Sequence, residues 1–227
     1  MKHRIPKDAG FTLVELLTVI GIICILAALS FGIVAGIQKK GDRAAAVSNM
    51  RQIGLAMNTF VSDHDGVMPG PIFPGQIPAY SDTKPERLVV LLADYLSIER
   101  KNSDDVYIPI FTPPAFKKSD AKNLKAVDAR TMVANMKVLK NNALVAPFGS
   151  AVPGAESDPL KYVEVISPDV VWALSDADQE HPHVAVAAWK ANTASKPYHD
   201  DKRVTVFFDG HVDSLDLDQF AIPVVTP

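Results

Sequence analysis

The apolar residues of the chain form one long block followed by short, separate runs. From Phe11 to Ile37 every position is apolar or small except Thr12, Glu15, Thr18 and Ser30, and residues 16–38 carry no charge. As a helix that uncharged stretch extends about 35 Å, enough for a hydrocarbon layer of about 30 Å. Beyond it Ala46, Met50, Ile53, Met57 and Phe60 recur at steps of four and three, the stripe of an amphipathic helix. Arg43, Asn49, Arg51, Gln52 and Asn58 fall largely off that stripe. Asp63-His64-Asp65-Gly66 and then Pro69 predict its end, with Gly66 as a left-handed cap.

The later runs are short and strand-like. Prolines 69, 71, 74, 78 and 85 make a linking loop, and a second helix is expected over about 84–96. Strand expectations fall on Tyr107–Phe111, on the alternation from Thr131 to Val138, on Val170–Leu174 and on Val184–Trp189. Asn141-Asn142 marks a turn. Arg203–Phe208, Asp209-Gly210 and His211–Leu215 read as a hairpin with a two-residue turn, which pairs Phe208 with His211 and Val206 with Asp213. The fold class is therefore α+β: a long N-terminal helix packed on an antiparallel sheet.

Composition narrows the function classes. The chain has 227 residues, 48% hydrophobic and 22% charged, which supplies a real core and excludes a disordered tail protein. A net charge of −3, with no basic stripe carrying aromatics, gives no pull toward nucleic acid. The single cysteine, Cys24, lies inside the apolar block, so no intramolecular disulfide staples the rest.

The N-terminal block admits several anchors. Lys2, Arg4 and Lys7 precede it against one acid, Asp8, which keeps the leader cytoplasmic and sends the bulk of the chain outward. The run is too long for an ordinary secretory signal, and Ile23 stands where a lipoprotein signal needs a small residue before the cysteine. A plain signal anchor accounts for neither Gly10 at the boundary nor Glu15. The small-xxx-small pairs Ala28/Gly32 and Gly32/Gly36 are compatible with helix bundling and no more.

Gly10-Phe11-Thr12-Leu13-Val14-Glu15-Leu16-Leu17 after a short basic leader resembles the class III signal of type IV pilins and type II secretion pseudopilins. The resemblance implies that a prepilin peptidase cuts after Gly10 and methylates the new terminus at Phe11. It makes Glu15 the fifth residue of the mature chain, where its carboxylate aligns with the terminal amine of a neighbouring subunit. The implied layout is a cleaved leader (1–10), a transmembrane and assembly helix (11–38), an amphipathic stalk (39–63) and a periplasmic α+β head (64–227). The implied partners are the peptidase, the chain itself and other pilin-like subunits, an inner-membrane assembly platform and the bilayer. The implied place is the bacterial inner membrane, crossed once, with a filament reaching the periplasm or cell surface.

His199, nine residues, then Asp209-Gly210 resembles the C-terminal motif of the group called prepilin-type processing-associated. Arg51-Gln52-Ile53-Gly54-Leu55-Ala56 is similar to that group's stalk. Asp209 and Gly210 need only be turn formers.

Metal and catalytic candidates are thin. His181-Pro182-His183 is a pair zinc accepts, without a third ligand at a recognisable spacing. Asp176 and Asp178 are the best calcium candidates, with Asp63 and Asp65 second, but neither cluster has the full loop pattern that six to eight oxygens require. No Gly-x-Ser-x-Gly, phosphate loop or His-Glu-x-x-His occurs, so no enzyme is expected. The chain reads as a structural filament subunit. The rival is a membrane-anchored exported binding module or hydrolase that uses the same signal without polymerising.

Overall fold

The computed structural model describes residues 12–101, 103 and 105–220, and the side chains of 29–35 lie outside that set. Two compact units divide the chain, Met1–Gly41 and Asp42–Pro227. Helix α1 (Leu13–Asp63) enters both.

In the first unit the side chains of α1 stand open. Leu13 is 80% exposed and Val14 67%, and Leu16, Leu17, Ile20, Ile22, Ile23, Ile25 and Leu26 are each more than half or about half exposed. Among the described residues no helix is long and apolar enough to cross a membrane. The expected span at 11–38 includes Phe11 and the side chains of 29–35, which lie outside the described residues.

The second unit is α+β, in a pilin-like arrangement of N-terminal helix and five-stranded antiparallel sheet. Strands β1 (Gly75–Gln76), β2 (Met132–Ala134), β5 (Trp172–Asp176), β6 (Arg203–Phe207) and β7 (Val212–Leu215) lie in the order β1-β2-β5-β6-β7. β3 (Val138–Lys140) and β4 (Ala143–Val145) form a separate hairpin. It turns at Asn141 and Asn142, both at positive φ, as the Asn-Asn pair predicts. The expected helical stripe is the core face: Ala46, Met50, Ile53, Met57 and Phe60 are all buried against Met132, Ala134, Leu174, Val204 and Val206. The opposite sheet face buries Val133, Trp172, Phe207 and Leu215 with Phe220. Strands covered on both sides lose the alternation that marks half-buried strands.

The end of α1 follows its sequence. Gly66 takes φ +80 and donates to the carbonyl of Val61 at 2.9 Å. The His64 ring stacks on Phe60, with centroids 3.8 Å apart, and its Nδ1 lies 2.8 Å from the Phe60 carbonyl.

Four local expectations are corrected. The helix over 84–96 shortens to α2 (Leu88–Leu91), with turns on either side. Tyr107–Phe111 is not a strand; Pro109 opens a 3-10 turn, because it has no N–H for a ladder. The alternating run breaks after Ala134, where the Asn135 amide group donates to the Trp172 carbonyl (2.8 Å) and accepts from Lys137 N (2.9 Å). Val184–Trp189 forms turns closed onto His181 and Val184.

The C-terminal hairpin differs by one residue. The observed pairs are Val206 with Val212 and Thr205 with Asp213. Gly210 N donates to Phe207 O and Phe207 N to His211 O, so the loop holds three residues with Gly210 in the left-handed position at φ +93. The two-residue turn loses because Phe208 N and Asp209 N are taken by the carbonyls of Val171 and Pro168. Phe208 thereby leaves the ladder and packs on Phe148 in the core.

Candidate functional site

Glu15 sits in the first turn of α1, and its surroundings follow from Thr12 three residues earlier. Its Oε2 accepts from the Thr12 backbone N (2.9 Å) and from the Thr12 hydroxyl (2.8 Å). The Thr12 hydroxyl oxygen in turn accepts from Glu15 N at 3.3 Å. This is a capping box: a Thr and a Glu three apart satisfy each other's free amides at a helix start. The Thr-x-x-Glu spacing of this cap is legible in the sequence. Gly10 and Phe11, the expected processing residues, lie outside the described residues.

His199 and Asp209-Gly210 do not meet. They cap opposite ends of β6, whose five residues extend about 17 Å. At one end Gly210 lies against α1. A Cβ added to Gly54 would fall 2.8 Å from Val206 Cγ2 and 3.4 Å from the Gly210 backbone, and one added to Gly210 would meet Asn58 Nδ2 at 2.9 Å. Asn58 Nδ2 also donates to the Asp209 carbonyl at 3.5 Å. Asp209 Oδ1 accepts from the backbone N of His211 and lies 2.6 Å from its Nδ1, while the His211 ring stacks on Phe207. At the other end His199 is buried, and Asp42 and Arg43 of α1 act on its charge. From Asp42 to Gly54 the helix rises about 18 Å, which matches the strand. The nine-residue interval contains that five-residue strand, laid between two points of one helix.

A buried charge cluster occupies the His199 end. Arg203 is 1% exposed; its Nε donates to Asp178 Oδ2 at 2.7 Å and its Nη2 to Asp178 Oδ1 at 2.8 Å. Asp176 Oδ2 accepts from Val204 N at 3.1 Å, and His199 Nε2 stands 3.7 Å from that same oxygen, beyond a hydrogen bond. Asp176 Oδ1, His199 Nε2, Tyr198 OH and His181 Nε2 are buried without a hydrogen-bond partner. Burial pushes the Asp176 carboxyl up to about 8, with Asp178 adding to the shift while Val204 N–H and Arg203 oppose it. Burial likewise lowers His199 to about 4 and His181 to about 3, and raises the Tyr198 hydroxyl.

The two calcium candidates, Asp176 and Asp178, have different surroundings. Both Asp178 oxygens face a guanidinium, so an ion there would have to displace Arg203. Among the described residues no group of three or more His, Cys, Asp and Glu is placed to hold a metal. His181 and His183 pack as aromatic rings against Trp172, with centroids 5.6 and 4.9 Å from it. Arg203 and Tyr198 are the members sequence reasoning missed; the carboxylate that Arg203 pairs with lies 25 positions away.

Residues 5–31 match the family model of the prokaryotic N-terminal methylation motif. That motif suggests a pilin- or pseudopilin-type precursor. No curated protein and no solved structure matches the chain.

Proposed function

We propose that this chain is a filament subunit of the pilin or pseudopilin type, cut between Gly10 and Phe11 by a prepilin peptidase and methylated at Phe11. The methylation motif at residues 5–31 carries this reading. The exposed row of leucines, isoleucines and valines along the first part of α1 supports it, because such a surface requires lipid or neighbouring helices to cover it. The helix crosses the inner membrane once with the leader cytoplasmic and the head periplasmic. Subunits then join through α1, fed by an inner-membrane assembly platform.

Glu15 has two successive partners in this scheme. Cleavage leaves the Thr12 amide intact, so the capping box holds the carboxylate in the lone subunit. On assembly the new terminal amine of a neighbour, with a pKa of about 7.7–8.0, offers an opposite charge. Two charges left unpaired in an apolar filament core cost several kcal/mol, so pairing fixes the register.

The mass of the membrane-extracted chain tests the processing: it should begin at methylated Phe11, and an intact leader sinks the scheme. Glu15→Ala should leave insertion and cleavage unchanged while blocking assembly. Unaltered multimers in that variant favour the rival, a membrane-anchored exported module that does not polymerise.

A further inference from the structure

We propose that two oppositely charged flanks at one end of the head form the two halves of a contact between successive copies of this chain, lysine flank against aspartate flank. The proposal rests on the filament reading and names the head surfaces that a filament would use.

The flanks are organised by two consecutive residues of α1. Asp42 and Arg43 project about 100° apart around a helix. Asp42 Oδ2 meets Lys118 Nζ at 2.5 Å. Lys118 belongs to a pair of 3-10 helices, Pro114–Lys118 and Asp120–Asn123. Residues 114–125 hold four lysines (117, 118, 122 and 125), all exposed, against one acid. That acid, Asp120, accepts from Ser195 N at 3.0 Å. Asp105 also stands 3.6 Å from Lys125.

Arg43 faces the other way, where its Nε donates to Ser214 Oγ of β7 at 3.3 Å. Residues 213–218 hold Asp213, Asp216 and Asp218 and no cation. The turn before β6 brings Asp200 and Asp201 to the same sheet end, where Arg203 pairs with Leu215 and Lys202 Nζ meets Asp216 Oδ2 at 3.0 Å. Asp200, Asp201, Asp213 and Asp218 are exposed. This flank has five aspartates against two accessible cations, Lys202 and Arg43, since Arg203 is buried on Asp178.

The occupant follows from the presence of both signs. An anionic bilayer or a nucleic acid drawn to the lysines is repelled by aspartates at the same end of the head. A second copy carries the complement of each flank. Because the two flanks differ, a copy uses one on the neighbour before it and the other on the neighbour after it. Such a contact is heterologous, and it repeats along an array instead of closing a two-fold dimer. Exposed pairs of this kind are individually weak and sensitive to salt, and they govern register and encounter more than total affinity.

The test uses the full chain in phosphatidylcholine vesicles, with association read by energy transfer between donor- and acceptor-labelled copies. Lys117→Glu with Lys122→Glu, or Asp213→Lys with Asp218→Lys, should each weaken association about tenfold at low salt. An equal mixture of the two double variants should recover wild-type association, because every flank again meets its opposite. Retained association in either variant alone, or no recovery on mixing, overturns the proposal. So does association that follows added anionic lipid and not chain density, which would assign the lysines to headgroups. Loss with Glu15→Ala but not with flank reversal defeats this inference while the filament reading stands. A wild-type chain that never associates at any density defeats both.

Discussion

His199 Nε2 stands 3.7 Å from Asp176 Oδ2 with both side chains buried, and neither that nitrogen nor the second oxygen of Asp176 has a hydrogen-bond partner. The pair joins the stretch before β6 to the end of β5, close to the helix residues Asp42 and Arg43. Its chemistry sets how the head responds to pH.

Asp176, at about 8, lies above the ordinary 3.8 of an aspartate, so its contribution to stability is whole in acid and is lost as pH rises from about 4 to about 8. His199 at about 4 and His181 at about 3 lie below the ordinary 6.5, so theirs is whole above 6.5 and is lost as pH falls through those values. The two losses meet near pH 6.5, where stability should peak. Between pH 6.5 and 8 the Asp176 loss alone amounts to about 2 kcal/mol. Urea unfolding across that range checks it, and Asp176→Asn should flatten the alkaline limb and steepen the rise between about pH 4 and 6.5, where the Asp176 loss opposes the histidine gain.

Arg203 and Asp178 are a pair better replaced than broken. Arg203→Met leaves a buried carboxylate with no counter-charge, held only by the Glu180 N–H on Oδ1, and should cost about 3–5 kcal/mol. Arg203→Met combined with Asp178→Leu should recover most of that loss. A denaturation double-mutant cycle reads the coupling, and additive losses would show that the guanidinium and carboxylate do not depend on each other.

Gly54 should resist the usual helix rule. Alanine in an exposed helix gains about 1 kcal/mol over glycine. Here the added methyl falls 2.8 Å from Val206 Cγ2, so Gly54→Ala should destabilise by about 1–3 kcal/mol, read from the midpoint of thermal unfolding. The same change at Gly41, with nothing within 4 Å of its Cβ, serves as the control and should not destabilise.

Thr12→Val keeps the shape of the cap and removes its hydroxyl. Glu15 N loses its acceptor and Glu15 Oε2 one of its two donors, for about 1 kcal/mol of local stability. Hydrogen exchange in micelles should then accelerate about fivefold at the amides of the first turn, with the head unchanged.

The long helix was readable because its signals are local. The four-three spacing of Ala46, Met50, Ile53, Met57 and Phe60 names the buried face, and Gly66 ends the helix where a left-handed residue is required. The turn chemistry of Asn141-Asn142 also needs no distant partner. Thr12 and Glu15 were equally legible as a cap, three residues apart.

What the chain alone did not determine depends on groups far apart in sequence. Phe208 and Asp209 look like ladder and turn residues until the carbonyls of Val171 and Pro168 claim their amides, which shifts the hairpin by one. Asp176 and Asp178 look like one cluster of calcium oxygens. The sheet separates them, giving one to the Val204 N–H and the other to Arg203. The His199 and Asp209-Gly210 motif looks like one site, yet a strand keeps its parts at opposite ends. Spacing along a chain encodes a helix face or a turn, because those partners are neighbours within a few bonds; the mate of a buried charge is chosen only when strands distant in sequence come into register.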